Sequence, residues 1–531
     1  MAVLLSRLSG LAREMVMARL FGAGLEYDSF ILAFRIPNLT RDLFAEGALS
    51  SAFVPKFTEY LAAGDRAGAA RLANLVATTL IVFVGAFCAI GVWFSPTIID
   101  LLAPGFRAVP GKFELTVELT RIMFPFLLLV ALAAQAMGVL NACNQFAIPA
   151  LSSTFFNLGS ILFGLVLGIL LGPSLGLTPI AGMSWGVLIG GGLQLIVQLP
   201  SLARQGFTFR PQFDWADPGL RHILRLMGPA ILGNAAVQIN VMVSTSFAAG
   251  VLDPVRGHDG PVSWLSYAFR FMQLPLGLFG VALGSATLPA VARAAAQGRM
   301  EDFRRTLSRS LGMVFFLTIP SSVGLAVLGP AMIGAIYEGG SFDAYDTRQT
   351  GLALAGFAIG LAGYSAVKVL TPAFYALKDS RTPMLVSAAS ILVNYGSAVT
   401  LLRFARLGHE ALAISTSAVA LFSFVAQFLV MRRRLGGIEG RALRGSVLRI
   451  GLASLAMGLL VAALSRSLQR LVGDGRWAYP IELLVAIPTG VAVFYLLCRI
   501  LRVEELEVAM HALAGPLARL VAKCRATIGT K

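Results

Sequence analysis

The stretch Ala33-Phe34-Arg35-Ile36-Pro37-Asn38-Leu39 shares its first three residues and its last with Ala268-Phe269-Arg270-Phe271-Met272-Gln273-Leu274. Extended without gaps, positions 33 to 53 match positions 268 to 288 at seven of 21 places, and Pro55 and Pro289 agree after a one-residue slip. Each copy sets an arginine inside an apolar run. The second copy begins 235 residues after the first, and twice that length, counted from the N-terminus, reaches about residue 470, just before the last apolar run. The chain therefore reads as two similar halves followed by an appendage.

Composition says what surrounds these runs. Of the 531 residues, 57% are hydrophobic and only 13% charged, with a mean hydropathy of +0.78. A soluble domain cannot hide so large an apolar share, so the chain is expected to be an all-α integral membrane protein. Apolar stretches of about 20 residues predict about 14 transmembrane helices, near 1–22, 28–60, 74–101, 117–141, 147–172, 178–199, 224–250, 263–292, 308–335, 349–376, 383–402, 410–431, 446–465 and 479–501. Helices rather than a barrel follow from these lengths.

The formal charge of +16 does not point to nucleic acid, because the basic residues cluster in alternate short loops. With a cytoplasmic N-terminus, the inward loops and tail hold about 21 Lys and Arg, including Arg432, Arg433, Arg434, Arg441 and Arg444, and the outward loops about nine. Both termini are thereby expected in the cytoplasm. The first apolar run carries Arg7, Arg13 and Arg19 and has no small-residue cleavage site, so it reads as a retained helix and not a signal peptide. Cys88, Cys143, Cys498 and Cys524 are too scattered for a disulfide framework or a metal site, and no cofactor is expected.

The expected organisation is an N-terminal six-helix half over 1–205, a polar cytoplasmic connector over 206–222, a C-terminal six-helix half over 223–435, two additional transmembrane helices over 436–503 and a cytoplasmic tail over 504–531. An even number of spans gives both halves one orientation, and a substrate cavity is expected between them. Pro37, Pro125, Pro229, Pro275, Pro320 and Pro372 interrupt the spans. Such breaks persist in a bilayer only where neighbours or a wet cavity satisfy the freed backbone groups.

Charges within spans cost roughly 2.5–3.5 kcal/mol each on insertion scales and should face a partner or a cavity. They include Arg7, Arg13, Glu14, Asp28, Arg35, Arg41, Asp42, Glu46, Arg270 and Lys368. Arg35, Asp42 and Glu46 are spaced seven and four apart, on one helix face, with Arg41 beside them. Two readings stay open: the carboxylates neutralise Arg35 and Arg41 within the protein, or the cationic excess with Arg7, Arg13 and Arg270 receives an anionic ligand. Guanidinium forks match phosphate and carboxylate oxygens bidentately, which suits a pyrophosphate-bearing lipid. Lys368 is either a further cavity cation or a side chain that snorkels to an interface.

Several motifs carry a family resemblance. Ser6-Arg7 with Gly10-Leu11-Ala12-Arg13, Phe21-Gly22-Ala23-Gly24, Asp28, Pro37-Asn38-Leu39, Phe44-Ala45-Glu46-Gly47-Ala48 and Ala52-Phe53-Val54-Pro55 resemble the signature of the MurJ/MviN family. These are the bacterial lipid II flippases of the multidrug/oligosaccharidyl-lipid/polysaccharide exporter superfamily. Met227-Gly228-Pro229-Ala230-Ile231-Leu232-Gly233, Ser263-Trp264 and Gly280-Val281-Ala282-Leu283-Gly284 are similar, though less specific. The resemblance covers nearly the whole chain. It implies transport, without catalysis, of undecaprenyl-pyrophosphate-linked disaccharide-pentapeptide from the inner to the outer leaflet of the bacterial inner membrane, with the peptidoglycan synthesis machinery as a partner. Carried over by position, the cavity residues are Arg7, Arg13, Asp28, Arg41, Glu46, Arg270 and Asn157. Arg7, Arg13 and Arg41 are the implied phosphate clamp, closed by Arg270, with Asp28 and Glu46 holding a gate or orienting the arginines.

The chain departs from the family pattern in places. It starts about a dozen residues later than typical members, so either the start is misassigned or the first helix is short. Glu14 and Asp42 stand where an aspartate and a second arginine are expected. The seventh and eleventh spans offer Gln238, Asn240 and Asn394 but no carboxylate, so sodium coupling is not expected. The rivals are a flippase for another polyprenyl-linked saccharide, a multidrug cation exporter and a polytopic membrane glycosyltransferase. An exporter of cations should carry buried carboxylates in place of arginines. A transferase should carry spaced carboxylates in an outward loop, and Asp253, Asp259, Asp343 and Asp346 show no such spacing.

Overall fold

A computed structural model describes residues 2–41, 49–438, 440–473 and 477–511. Its helices, in chain order, are α1 (Ala2–Phe21), α2 (Leu25–Arg41), α3 (Ser50–Ala62), α4 (Arg66–Thr79), α5 (Gly85–Trp93), α6 (Ser95–Leu102), α7 (Lys112–Met123), α8 (Phe126–Ala142), α9 (Ala147–Leu165), α10 (Gly172–Leu175), α11 (Pro179–Ile196), α12 (Leu199–Arg204) and α13 (Pro218–Gly250). They continue with α14 (Pro261–Pro275), α15 (Ala282–Ala296), α16 (Met300–Tyr337), α17 (Ala344–Ala376), α18 (Arg381–Arg403), α19 (Glu410–Arg434), α20 (Gly440–Val472) and α21 (Ala478–Ile500).

Eleven helices among the described residues are long and apolar enough to cross a membrane. The other three of the 14 expected spans are also helical, as α1, as α2 with α3, and as α13. Composition explains why α1 and α2 stand apart. Arg7, Arg13, Glu14 and Arg19 interrupt α1, and Glu26, Asp28, Arg35 and Arg41 interrupt α2. In α13 an apolar helical stretch runs over Ala235–Gly250.

The chain packs as two compact units. One comprises Met1–Trp264 with Tyr337–Asp346, the other Leu265–Ile336 with Thr347–Lys531. The helix α13, which the duplication assigns to the second half, packs with α3, α4 and α6 in the first unit.

Within the first unit, α9 and α11 form the closest helix pair. Gly182, Gly186 and Gly190 recur every fourth residue and so share one face of α11. A Cβ at Gly186 would lie 2.5 Å from the Ser160 carbonyl oxygen and 2.6 Å from the Gly164 Cα, and one at Gly190 2.6 Å from the Phe156 carbonyl oxygen. Small residues let the backbones touch, which is how helices gain dispersion energy where lipid supplies no hydrophobic drive.

The second unit repeats the device between α17 and α19. A Cβ at Gly360 would meet the Ser417 Cα at 2.6 Å, and the Ser417 hydroxyl donates to the Gly356 carbonyl at 2.7 Å and accepts from the Gly360 N–H at 2.9 Å. Phe303, Leu307 and Leu311 of α16 meet Leu370 and Phe374 of α17 and Met431 of α19 in a fully buried cluster.

Pro275 ends α14, and the next six residues, Leu276–Val281, form a π-helical turn before α15. This is the break that the proline predicts in the Arg270 helix. Similar π turns occupy Leu80–Val84 between α4 and α5, and Val166–Leu170 after α9.

Candidate functional site

The arginines of α1 occupy different settings. Arg7 is exposed. Arg13 is half-buried, its guanidinium 5.8 Å from the Phe34 ring centroid and 5.1 Å from that of Phe156. Aromatic faces attract a cation, and they hold the planar fork in one orientation. Next to Phe156 on α9, the buried Asn157 donates from Nδ2 to the Ser6 carbonyl at 3.3 Å and to the Ser9 hydroxyl at 3.1 Å. Asn157 thus ties α9 to the turn of α1 that carries Arg7.

On α2, Arg35 donates from Nη1 to the Thr245 hydroxyl of α13. Among the described residues its hydrogen-bond partner is therefore a neutral group. The backbone of α2 ends at Arg41, whose side chain lies outside the described residues, as do Asp42 and Glu46. The expected pairing of Arg35 and Arg41 with those carboxylates falls there too.

Asp28 is fully buried and saturated. Its Oδ1 accepts from the Ser263 N–H at 2.8 Å and the Ser263 hydroxyl at 2.5 Å, and its Oδ2 from the Gly260 N–H at 2.9 Å and Lys112 Nζ at 2.8 Å. The same Nζ reaches the His258 carbonyl at 2.9 Å and Asp259 Oδ1 at 2.8 Å, and lies 4.3 Å from the Phe106 ring centroid. Asp28 therefore binds protein, with no acceptor position left over, and its place is in a seam that joins α2, α7, the 251–260 loop and the start of α14.

That seam continues through neighbouring groups. Arg256 pairs with Asp343 at 2.6 Å and Asp346 at 3.3 Å, and Trp264 donates to Asp346 at 2.9 Å. The Tyr345 hydroxyl donates to Asp253 at 2.9 Å. At the end of α1 the Ser341 N–H donates to the Arg19 carbonyl at 2.9 Å, and Tyr337 donates to the buried Glu14 at 3.0 Å. Asp253, Asp259, Asp343 and Asp346 are thus structural acceptors.

In the second unit Arg270 and Lys368 are both exposed. The backbone of α17 at Lys368 is held close to α15, since a Cβ at Gly284 would lie 2.4 Å from the Lys368 carbonyl oxygen.

Lys112 is the buried ion-pair residue that sequence reasoning missed. Its partners lie 84 and 147 positions away, so no local spacing announces them. One signal was available. Lys112 opens α7, and a cation at a helix N-terminus faces the positive end of the dipole, so tertiary partners must hold it there.

These elements define a class: an all-α, multi-pass membrane protein with arginines on its first two helices and a buried lysine–aspartate seam. A family profile described as "Lipid II flippase MurJ" matches residues 17–478. A probable lipid II flippase MurJ of Rhizobium tropici is 34% identical over 475 residues, covering 89% of this chain and 87% of that protein. The lipid II flippase MurJ of Burkholderia cenocepacia is 32% identical over 464 residues, covering 86% and 87%. A solved structure of a lipid II flippase MurJ in an inward closed conformation superposes with a TM-score of 0.75 at 25% identity, over 94% of this chain and 98% of that one. An inward-facing multidrug resistance MATE family transporter shares the fold at a TM-score of 0.68 and 15% identity, over 82% of this chain and 96% of that one. The chain belongs to the lipid II flippase MurJ family.

Proposed function

We propose that this protein is a lipid II flippase, carrying the undecaprenyl-pyrophosphate-linked peptidoglycan precursor from the inner to the outer leaflet of the bacterial inner membrane. Both termini lie in the cytoplasm, and the peptidoglycan synthesis machinery takes up the product. Transport proceeds by alternating access between the two six-helix halves and involves no catalysis. The observation that carries this reading is the setting of Arg13, a cation oriented by the faces of Phe34 and Phe156 on an α1 helix that also exposes Arg7.

Arg7, Arg13 and Arg41 clamp the pyrophosphate, and Arg270 contributes from the second half. Forked donors suit the two phosphates, and the prenyl tail stays in lipid. Asn157 positions the first turns of α1, and Arg35 and Lys368 add positive potential. Glu46 orients the arginines. Asp28 serves the outer gate with Lys112: release of Gly260 and Ser263 from its carboxylate accompanies outward opening, while Lys112 keeps it charged and paired. The negative-inside potential favours return of the empty cationic site, since one charge crossing 100 mV is worth roughly 2.3 kcal/mol.

The test is a lipid II flipping assay in proteoliposomes, paired with complementation of a flippase-depleted strain, on Arg7→Ala, Arg13→Ala, Arg41→Ala and Arg270→Ala. Loss of flipping with normal membrane insertion is expected for each. Full activity in all four would sink the clamp, and polymerisation of lipid II by the purified chain would replace transport with transferase chemistry.

A further inference from the structure

The connector between α12 and α13 holds an arrangement that transport does not explain. Its residues 206–217 include no long helix, yet they run against the apolar part of α4. The Arg210 N–H donates to Asn74 Oδ1 at 3.1 Å and the Gln212 N–H to the Thr78 hydroxyl at 3.1 Å. Pro211 between them has no N–H to satisfy. Asn74 and Thr78 are, with Thr79, the buried polar side chains of α4, whose other buried residues are apolar.

The path goes in and comes back. Arg71 is the last charged residue before the uncharged run 72–99, so it marks the water boundary of α4. Thr78 lies seven residues beyond it, about 10 Å deeper along the helix. Two residues past Gln212, Asp214 has returned to Arg71, paired at 2.6 Å, and Asp217 then caps α13 through the N–H groups of Gly219 and Leu220. Residues 211–213 are therefore the backbone that α4 holds deepest, and the Trp215 side chain reaches on to Phe83.

Its outer side is aromatic. Phe209, Phe213 and Trp215 are 53%, 70% and 49% exposed. Trp215 packs edge-on against Phe83 at 5.6 Å, and Phe83 belongs to an exposed apolar face with Ile81, Val82 and Phe87. Phe207 anchors the inner side on Phe57 at 5.4 Å. Irregular backbone survives at membrane depth only where its donors are satisfied by protein, and Asn74, Thr78 and the choice of proline meet that demand where α4 holds the backbone deepest. Exposed Arg204 and Arg210 flank it, placed to meet lipid phosphates.

We infer that residues 207–215 form an aromatic wedge that dips from the cytoplasmic side into the inner leaflet, with Phe209, Phe213 and Trp215 bound among phospholipid headgroups and upper acyl chains. The lipid surface is continuous with the one already wetting Phe83. By fixing Asp217, the wedge holds the start of α13 at the bilayer surface.

Electron paramagnetic power saturation in nanodiscs tests this without reference to transport. A nitroxide is placed at Phe213→Cys in a chain with Cys88, Cys143, Cys498 and Cys524 replaced by alanine, with Ala63→Cys as the exposed-loop control and Phe83→Cys as the lipid control. The label at 213 should collide with oxygen in preference to a nickel chelate, as at 83. Nickel accessibility matching that at 63 overturns the wedge. Adding Asn74→Ala should raise nickel accessibility at 213 and leave 83 unchanged; no change at 213 overturns the role given to Asn74. If the cysteine-free chain fails to fold, tryptophan quenching by dibrominated phospholipid reads the same question in the native chain. Trp215→Phe should remove a strongly quenched component, and removal of an unquenched one overturns the inference.

Discussion

Lys112 shows how one residue holds several elements at once. Its ammonium has no exposure and three oxygen partners, two of them carboxylates. Removing one member of a buried ion pair leaves an uncompensated charge and costs about 3–5 kcal/mol. Lys112→Met is therefore expected to lower the thermal unfolding midpoint in detergent, and Asp28→Asn in the same chain to recover part of the loss. If Lys112→Met unfolds like the parent, the seam contributes nothing to stability. At Arg13 the geometry makes charge alone insufficient. Arg13→Lys keeps the cation but loses the planar contact with Phe34 and Phe156, so flipping should fall well below the parent yet stay above Arg13→Ala. Equal rates for the lysine variant and the parent would show that only charge matters. The sequence made Asp28 and Arg13 visible as costly charges in apolar helices. It hid Lys112, because burial there is decided by loop residues far along the chain.

At the scale of elements, the α9–α11 pair rests on contacts too close for any side chain. At Gly186 a Cβ would meet backbone atoms, which cannot rotate away, whereas at Gly192 on the same helix nothing lies within 4 Å. Gly186→Val should force the helices apart and lower the unfolding midpoint, while Gly192→Val is tolerated; equal midpoints would remove the close approach as a source of stability. The four-residue glycine period is plain in the sequence, but its partner helix is not, because every span is equally apolar. A smaller feature ends the loop after α17. Asp379 accepts from the Thr382 N–H at 3.0 Å and hydroxyl at 2.6 Å, and pairs with Arg434 at 3.0 Å. The Thr382 hydrogen bonds, aided by the Arg434 charge, hold its carboxyl below the ordinary aspartate range. A depressed acid contributes above its ordinary titration range, and its contribution disappears as pH falls through the folded value. Asp379→Ala should accordingly speed amide exchange in the first turn of α18 at neutral pH, with the difference from the parent shrinking under strong acid. A difference that persists unchanged into acid would assign the effect to something other than the carboxylate.

For the molecule as a whole, composition decided the solvent before any residue was read, and apolar length then placed the spans. What length could not do was weigh helices such as α1 and α2, whose charges make them poor spans by composition although they are continuous helices over most of their extent. Those same charges are the candidate site, so the helices whose charges weaken them as spans are the ones that carry most of the proposed clamp. The repeated arginines sharpen the point. Both stand third in an Ala-Phe-Arg run, yet Arg35 is half-buried and donates to Thr245 on α13, whereas Arg270 is exposed five residues before Pro275 and the π turn that follows it. The Thr245 contact gives Arg35 a packing role that adds potential, and exposure on a broken helix lets Arg270 reach a ligand. Arg35→Gln can still donate to a hydroxyl, and should retain most flipping and complement a depleted strain. Arg270→Gln should abolish both, and Arg270→Lys should restore a part, because a phosphate needs the charge and gains from the fork. Equal loss at the two positions would mean that duplication preserved one role, and that the Thr245 contact yields to substrate during the cycle.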